Sequence, residues 1–127
     1  MITEADNTHV YLTDLHFEHK IWLNELNFVN EEVAIFEHRL DELVVRYTER
    51  EVLAKLEQFQ NQFIREKEVI DELRHKIKQH ENGLAQFADE NPVAIDHDYF
   101  DDHKELSAEV VRFKELFAER KHDFLRY

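Results

Sequence analysis

Hydrophobic residues recur at alternating steps of three and four along most of this chain, a spacing typical of helices that pack through a heptad seam. The first such series runs from Leu12 to Tyr47 and contains one polar member, His19. It predicts a single long helix over about residues 10–47. Residues 1–9 lack the periodicity, and we expect them to form a loose amino-terminal tail.

Two further series with the same spacing follow the first. The stretch Thr48-Glu49-Arg50-Glu51 has the pattern of a capping box, so one helix ends and the next begins within a few residues. Pro92 stops the second helix because it lacks a backbone N–H. Gly83 is compatible with an earlier end, but the apolar series stays in phase beyond it. We therefore predict helices over about residues 49–88 and 97–127.

The turn-forming residues are few, with one glycine and one proline in 127 residues. Such a composition implies few, long elements joined by short connections. The predicted fold is all-α, an elongated antiparallel three-helix bundle with coiled-coil-like packing, formed by residues 1–127 as a single domain. It resembles spectrin-type bundles in general shape.

Polar residues also occupy seam positions, and pairing them sets the register. Alignment across the first turn places His19 opposite His80. For the third helix we pair Glu66 with Arg120 as an internal ion pair, because a lone buried charge is costly. The alternative is that both side chains extend to the bundle edge and contribute little. A register shifted by three residues would instead place His103 beside His80.

Two apolar surfaces are predicted outside the seam. The third helix is too short to cover the tip of the first two, which leaves partly uncovered Leu40, Leu43, Val44, Tyr47, Val52, Leu53 and Leu56. The back of the first helix carries a second apolar stripe, which comprises Phe17, Ile21, Phe28, Ile35 and Val45. Because a helix that is apolar on two faces is usually buried on both, we expect a homodimer formed through the first helix. The alternatives are a monomer with scattered exposed residues, or a tail that folds over the stripe.

Histidine is unusually abundant, with 9 residues in the chain, so metal binding has to be considered. Four of them fall on or beside the seam within about one layer of each other: His16, His19, His80 and His103. Converging imidazoles can hold Zn²⁺ or a similar divalent ion, with Asp102 or Glu81 nearby. The commoner arrangement is a neutral polar layer that fixes the register. Either arrangement predicts a loss of stability in mild acid.

Other catalytic or metal-binding patterns are weaker. Two Glu-x-x-His pairs have the spacing used in di-iron bundles but fall on outward-facing positions, namely Glu72 with His75 and Glu119 with His122. A calcium loop beginning at Asp96 would lack the required glycine and glutamate. There is no cysteine, and the single serine, Ser107, has no base placed to activate it. We expect no enzymatic activity.

The formal net charge of -13 bears on partners. It disfavours nucleic acid, and any partner attracted by charge would be basic. No apolar run reaches the roughly 20 residues of a membrane span, and we expect a cytoplasmic protein without a required cofactor. The leading hypothesis is a non-enzymatic, acidic helical interaction or scaffold module that self-associates. The alternative hypothesis is a small metal-binding bundle that uses His19, His80 and His103.

Overall fold

The computed structural model describes the backbone of residues 12–90 and 97–127, and the side chains of residues 14–86 and 101–127. Three helices account for almost all of these residues: α1 (Leu12–Arg46), α2 (Arg50–Glu90) and α3 (His97–Arg126). The described residues contain no strand. The predicted all-α fold is confirmed, and each helix ends within two residues of its predicted bound. The predicted tail lies outside the described residues.

The helix boundaries follow from local hydrogen bonding. The Tyr47 N–H donates to the Leu43 carbonyl at 3.3 Å in the last turn of α1, and the Leu53 N–H donates to the Glu49 carbonyl at 3.0 Å at the start of α2. Gly83 does not have the positive φ that a helix-ending glycine adopts. The α2 helix therefore continues through it to Glu90.

The helices pack as an antiparallel series in which α1 contacts α2 and α2 contacts α3. The α3 helix runs parallel to α1, as shown by ring contacts near both of its ends, Trp22 with His103 and Phe36 with Phe124. The centre of the bundle is aromatic and apolar. Phe63, Leu26 and other buried residues form one continuous cluster, and burial of each such side chain stabilises the fold by about 1.5–3 kcal/mol.

The two candidate registers of α3 prove to be parts of one packing arrangement. Phe124 lies against both Phe59 and Phe63, with ring centroids 5.2 Å away in each case. A core side chain of α3 therefore sits between two α2 residues four apart, as a knob does in a hole. The same arrangement allows Arg120 to reach Glu66 and also brings His103 beside His80. The register set by Glu66 and Arg120 also predicts His80 beside Leu106, and these two residues line one cleft.

The predicted ion pair between Glu66 and Arg120 is confirmed. Arg120 Nε donates to Glu66 Oε1 at 2.6 Å. Glu66 is buried, whereas the Arg120 side chain remains 36% exposed. Burial raises the pKa of Glu66, and the neighbouring guanidinium opposes that effect only in part.

The tip of the bundle is better covered than predicted. Leu40 and Leu56, expected to be partly uncovered, are buried, and Leu43 and Leu53 pack against the core. The reason is that the last turn of α3 reaches the tip, where a cleft of about 410 Å³ is lined by residues that include Leu43, Tyr47, Leu56, Phe124 and Tyr127. Val44 and Tyr47 remain exposed.

Candidate metal centre

Three histidines, one from each helix, converge in a single layer of the bundle. His19 of α1 and His103 of α3 are buried, and His80 of α2 is half-buried. One ring nitrogen from each lies within 4.8 Å of the other two. The ring centroids of His19 and His80 are 5.0 Å apart, and those of His19 and His103 are 5.1 Å apart. The three imidazoles therefore surround a common point.

Carboxylates hold the outer nitrogens of two of these rings. His19 Nδ1 lies 2.8 Å from Glu81 Oε2, and the other oxygen of Glu81 contacts His16. His103 Nε2 lies 3.3 Å from Glu18 Oε1. Between the two rings, His19 Nε2 and His103 Nδ1 are 3.2 Å apart. The result is a continuous row of carboxylate, imidazole, imidazole and carboxylate.

The row has fewer protons than contacts. A carboxylate can only accept, so His19 donates Nδ1–H to Glu81 and its Nε2 is left as an acceptor when the ring is neutral. His103 can then donate Nδ1–H to His19, which leaves its own Nε2 lone pair facing Glu18. Three contacts need three protons, whereas two neutral imidazoles supply two. All three contacts can be favourable only if a third proton is present, or if a cation accepts the nitrogen lone pairs that are left without a proton.

A metal ion can satisfy the same row in a different way. If His19 and His103 each donate their outer N–H to a carboxylate, the lone pairs of His19 Nε2 and His103 Nδ1 face each other across 3.2 Å. Two nitrogens bound to tetrahedral Zn²⁺ lie about 3.3 Å apart, given bonds of about 2.0–2.1 Å. Inward movement of His80 by up to roughly 1.5 Å would bring its nitrogen to the same spacing.

The surroundings keep two of these histidines neutral. Burial, followed by the nearby imidazoles of His19 and His80, lowers the pKa of His103 to about 3. Burial is also the main cause of the lowered pKa of His80, and the adjacent carboxylates Asp102 and Glu81 oppose it. A neutral imidazole is the form that binds a metal. Both rings are therefore ready to act as ligands at neutral pH.

The two carboxylates differ in their electrostatics. Burial acts to raise the pKa of Glu81, but hydrogen bonds from His16 and His19 outweigh it, so the pKa is lowered. Burial raises the pKa of Glu18. Glu81 therefore stays ionised to a lower pH than Glu18 does, and it accepts from His19 as a carboxylate.

The histidine layer is enclosed on one side and accessible on the other. Leu15 and Leu84 are buried but lie outside the main apolar cluster. Trp22 packs on His103 with ring centroids 4.7 Å apart. His80 lines a surface cleft of about 470 Å³ whose acidic residues are Asp102, Glu105 and Glu109. That cleft gives a cation an electrostatically favourable route to the layer.

One of the four histidines proposed from sequence does not belong to the cluster. The His16 side chain is 51% exposed and contacts Glu81 instead of the other imidazoles. It flanks the seam, so its side chain points along the bundle surface. The structure groups only His19, His80 and His103 among the described residues.

Glu18 was missed by the sequence reasoning. A glutamate beside a seam position usually lies on a solvated face, and nothing in its local sequence distinguishes it. The position of Glu18 beside His103 could have been derived only by combining the α1–α2 register with the α2–α3 register. The position of α1 against α2, combined with that of α2 against α3, places His103 level with the turn that contains Glu18 and His19.

The proposed interface residues of α1 form an exposed apolar surface. Phe28 and Ile35 are 62% and 65% exposed, and Phe17, Ile21 and Val45 are also exposed. The stripe predicted on the back of α1 is therefore present on the surface.

Comparisons with protein-family models, curated proteins and solved structures found no match to this chain. Within the described residues, none of the three helices has an apolar stretch long enough to cross a bilayer. The geometry of the histidine layer and of the exposed surfaces is therefore the basis for assigning a function.

Proposed function

We propose that this chain is a metal-binding helical bundle that holds one divalent transition metal ion, of which Zn²⁺ is the best fit, on His19, His80 and His103. The observation that carries the proposal is the spacing of the three ring nitrogens, all within 4.8 Å. Imidazole nitrogens suit Zn²⁺, whereas Mg²⁺ and Ca²⁺ prefer oxygen ligands.

The carboxylates supply the second element of support. Ligand histidines in zinc sites usually donate their other N–H to a carboxylate, which fixes the tautomer and raises the basicity of the ligand. Glu81 and Glu18 occupy these positions next to His19 and His103. A polar layer with only a packing role does not require carboxylates on the outer nitrogens.

The proposed role of the ion is structural. Its ligands come from all three helices, so the ion would fasten α1, α2 and α3 together at the end of the bundle where α1 begins. A histidine triad leaves a fourth coordination position for water or an added ligand. We assign no enzymatic step to it, in keeping with the expectation from sequence.

Metal titration of the chelator-stripped full chain tests the proposal. Zn²⁺ should bind with a stoichiometry of one per chain by calorimetry, and Co²⁺ should give the visible absorption of a tetrahedral site. Trp22 is the single tryptophan of the chain and its ring packs on His103, so its fluorescence should change on binding. The melting temperature should rise with added Zn²⁺ because the ion binds only the folded state.

A matched pair of variants on α2 provides the control. His80→Gln should abolish stoichiometric binding, whereas His75→Gln, which changes an exposed histidine, should bind as the wild type does. Retained binding by His80→Gln, or no saturable binding by the wild type, would overturn the proposal. Circular dichroism of both variants checks that a loss of binding is not a loss of fold.

A second candidate function is self-association, favoured by a different observation. We propose that the chain forms a homodimer through the exposed stripe on α1, where Phe28 and Ile35 are more than half exposed. Contiguous apolar patches on a small protein often mark contact surfaces. Light scattering on the purified chain across a range of concentrations tests this function. A mass that stays at one chain, 15.5 kDa, at the highest concentration would exclude it.

A further inference from the structure

A second apolar stripe runs along α3 beside the one on α1. Val111 and Leu125 are 49% and 63% exposed, and the exposed Ala118 lies midway between them. These residues are spaced seven apart, as are Ile21, Phe28 and Ile35 on α1. Residues at that spacing lie on one face of a helix that packs in a coiled-coil manner.

The two stripes border the same groove. A groove of about 440 Å³ between α1 and α3 is lined by residues that include Phe28, Val29, Phe117 and Ala118. Phe28 of α1 and Ala118 of α3 line this groove from opposite sides. The surface available for contact therefore belongs to two helices, and we call it the α1/α3 face.

Two ion pairs join α1 to α3 along this face. Lys114, which lies between Val111 and Ala118 in the sequence of α3, pairs with Glu25 of α1. Lys121 Nζ lies 2.5 Å from Glu32 Oε2, seven residues further along both helices. Every acidic member of these pairs is on α1, and every basic member is on α3. In these pairs, the α1 side of the α1/α3 face is therefore negative and the α3 side is positive.

We propose that the α1/α3 face binds the same face of a second copy of this chain, with the twofold axis parallel to the helices. This inference rests on the self-association proposed above and specifies its surface and orientation. In this arrangement α1 lies against the α3 helix of the second copy and runs in the same direction. The apolar stripe of each α1 then packs against the apolar stripe on the α3 helix of the other copy.

Charge complementarity selects the second copy and this orientation. In the dimer, each α1 would have an α3 helix on both sides, one from its own chain and one from the second copy. Glu25 would then lie between two Lys114 side chains, and Glu32, seven residues further on, would lie between two Lys121 side chains. Opposite charges would thus be adjacent at both levels. An antiparallel arrangement would place α1 against α1 and bring Glu25 toward Glu31 of the second copy, which is repulsive.

Paired cysteine variants test the surface and its orientation. The chain has no cysteine, so each introduced thiol is unique. Asn24→Cys and Glu115→Cys change exposed residues at the rims of the α1/α3 face. When these two variants are mixed in about 0.15 M salt, where screening limits the repulsion between acidic chains, a short bis-maleimide should cross-link them. Asn24→Cys mixed with Glu31→Cys reports the antiparallel arrangement and should give little product.

The outcomes separate this inference from the self-association itself. A dimeric mass with cross-linking confined to the Asn24→Cys and Glu115→Cys mixture supports the proposal. A dimeric mass with dominant cross-linking of Asn24→Cys to Glu31→Cys overturns the parallel orientation and leaves self-association standing. A chain that stays monomeric overturns both.

Charge insertion gives an independent measurement. Phe28→Asp should weaken the dimer about tenfold or more, because it places a carboxylate in the apolar stripe of α1. Ile64→Asp, at an exposed position on α2 away from the α1/α3 face, should leave the dimerisation constant unchanged. Equal effects of the two substitutions would contradict the proposed surface. Neither site is in the buried core, so both variants are expected to fold.

Discussion

The folded protein should lose stability in mild acid when no metal is bound. The perturbation is a change from pH 8 to pH 5.5 in the presence of a chelator. The group that responds most is His103, which is 4% exposed and whose pKa is lowered to about 3. The charged or titratable groups that face the layer are His19, His80, Glu18 and Glu81, with Asp102 at the edge of the cleft.

Whether acid stabilises or destabilises the fold depends on which state, folded or unfolded, binds more protons. In the unfolded chain His103 has an ordinary pKa near 6.5, so between about pH 6.5 and pH 3 the unfolded state binds more protons than the folded state. The free energy of unfolding therefore falls as the pH falls through that window. At pH 5.5 the loss from His103 is about 1.4 kcal/mol, since one pH unit below the unfolded pKa corresponds to about a factor of ten.

Other groups modify this value in known directions. His80 adds to the loss because its pKa is also lowered. Glu18 and Glu66 oppose it, since a raised pKa lets the folded state bind a proton above the carboxyl's usual range near 4.5. Glu81, whose pKa is lowered, adds a loss only below about pH 4.5, outside the tested window.

Thermal unfolding followed by circular dichroism measures the effect. For a domain of this size, 1.4 kcal/mol corresponds to a decrease of about 5 °C in melting temperature. His103→Gln cannot be protonated in this range and should show a flatter dependence on pH, whereas His38→Gln, at an exposed position, should retain the full dependence. Melting curves that coincide at the two pH values would refute the view that neutral, buried imidazoles form this layer.

Three further results are expected. Glu81→Ala should lower Zn²⁺ affinity about 10- to 100-fold in calorimetry, because His19 loses its acceptor, while Glu68→Ala at an exposed site should not. Arg120→Met should lower the free energy of unfolding in urea by about 2 kcal/mol by leaving Glu66 buried without its cation, and the double substitution with Glu66→Leu should restore most of the loss. Phe63→Ala should cost about 3–5 kcal/mol in the same assay, since Phe63 is fully buried in the aromatic centre. A urea midpoint close to that of the wild type would contradict either stability prediction.

The heptad spacing was sufficient to predict the three helices and the register of α1 on α2. That register follows from one short turn, so the spacing alone places His19 beside His80, and the two rings do lie in contact. The position of α3 was harder to derive because the α2–α3 connection is longer and leaves the offset open. The Glu66–Arg120 pair placed α3 on α2, but a one-to-one pairing rule could not show that Phe124 lies between two α2 residues.

The chemistry of the site was less predictable than its position. Glu18, Glu25 and Glu32 are spaced seven apart on α1 and have the same appearance in the sequence, that of an acidic outer row. In the structure they face His103, Lys114 and Lys121 of α3, respectively. A carboxylate that faces a lysine forms an ion pair and fixes register, whereas one that faces a histidine fixes the tautomer and the direction of the lone pair. The role of each glutamate is thus set by the residue opposite it on α3. Only the offset between two helices that are not adjacent in sequence reveals that residue.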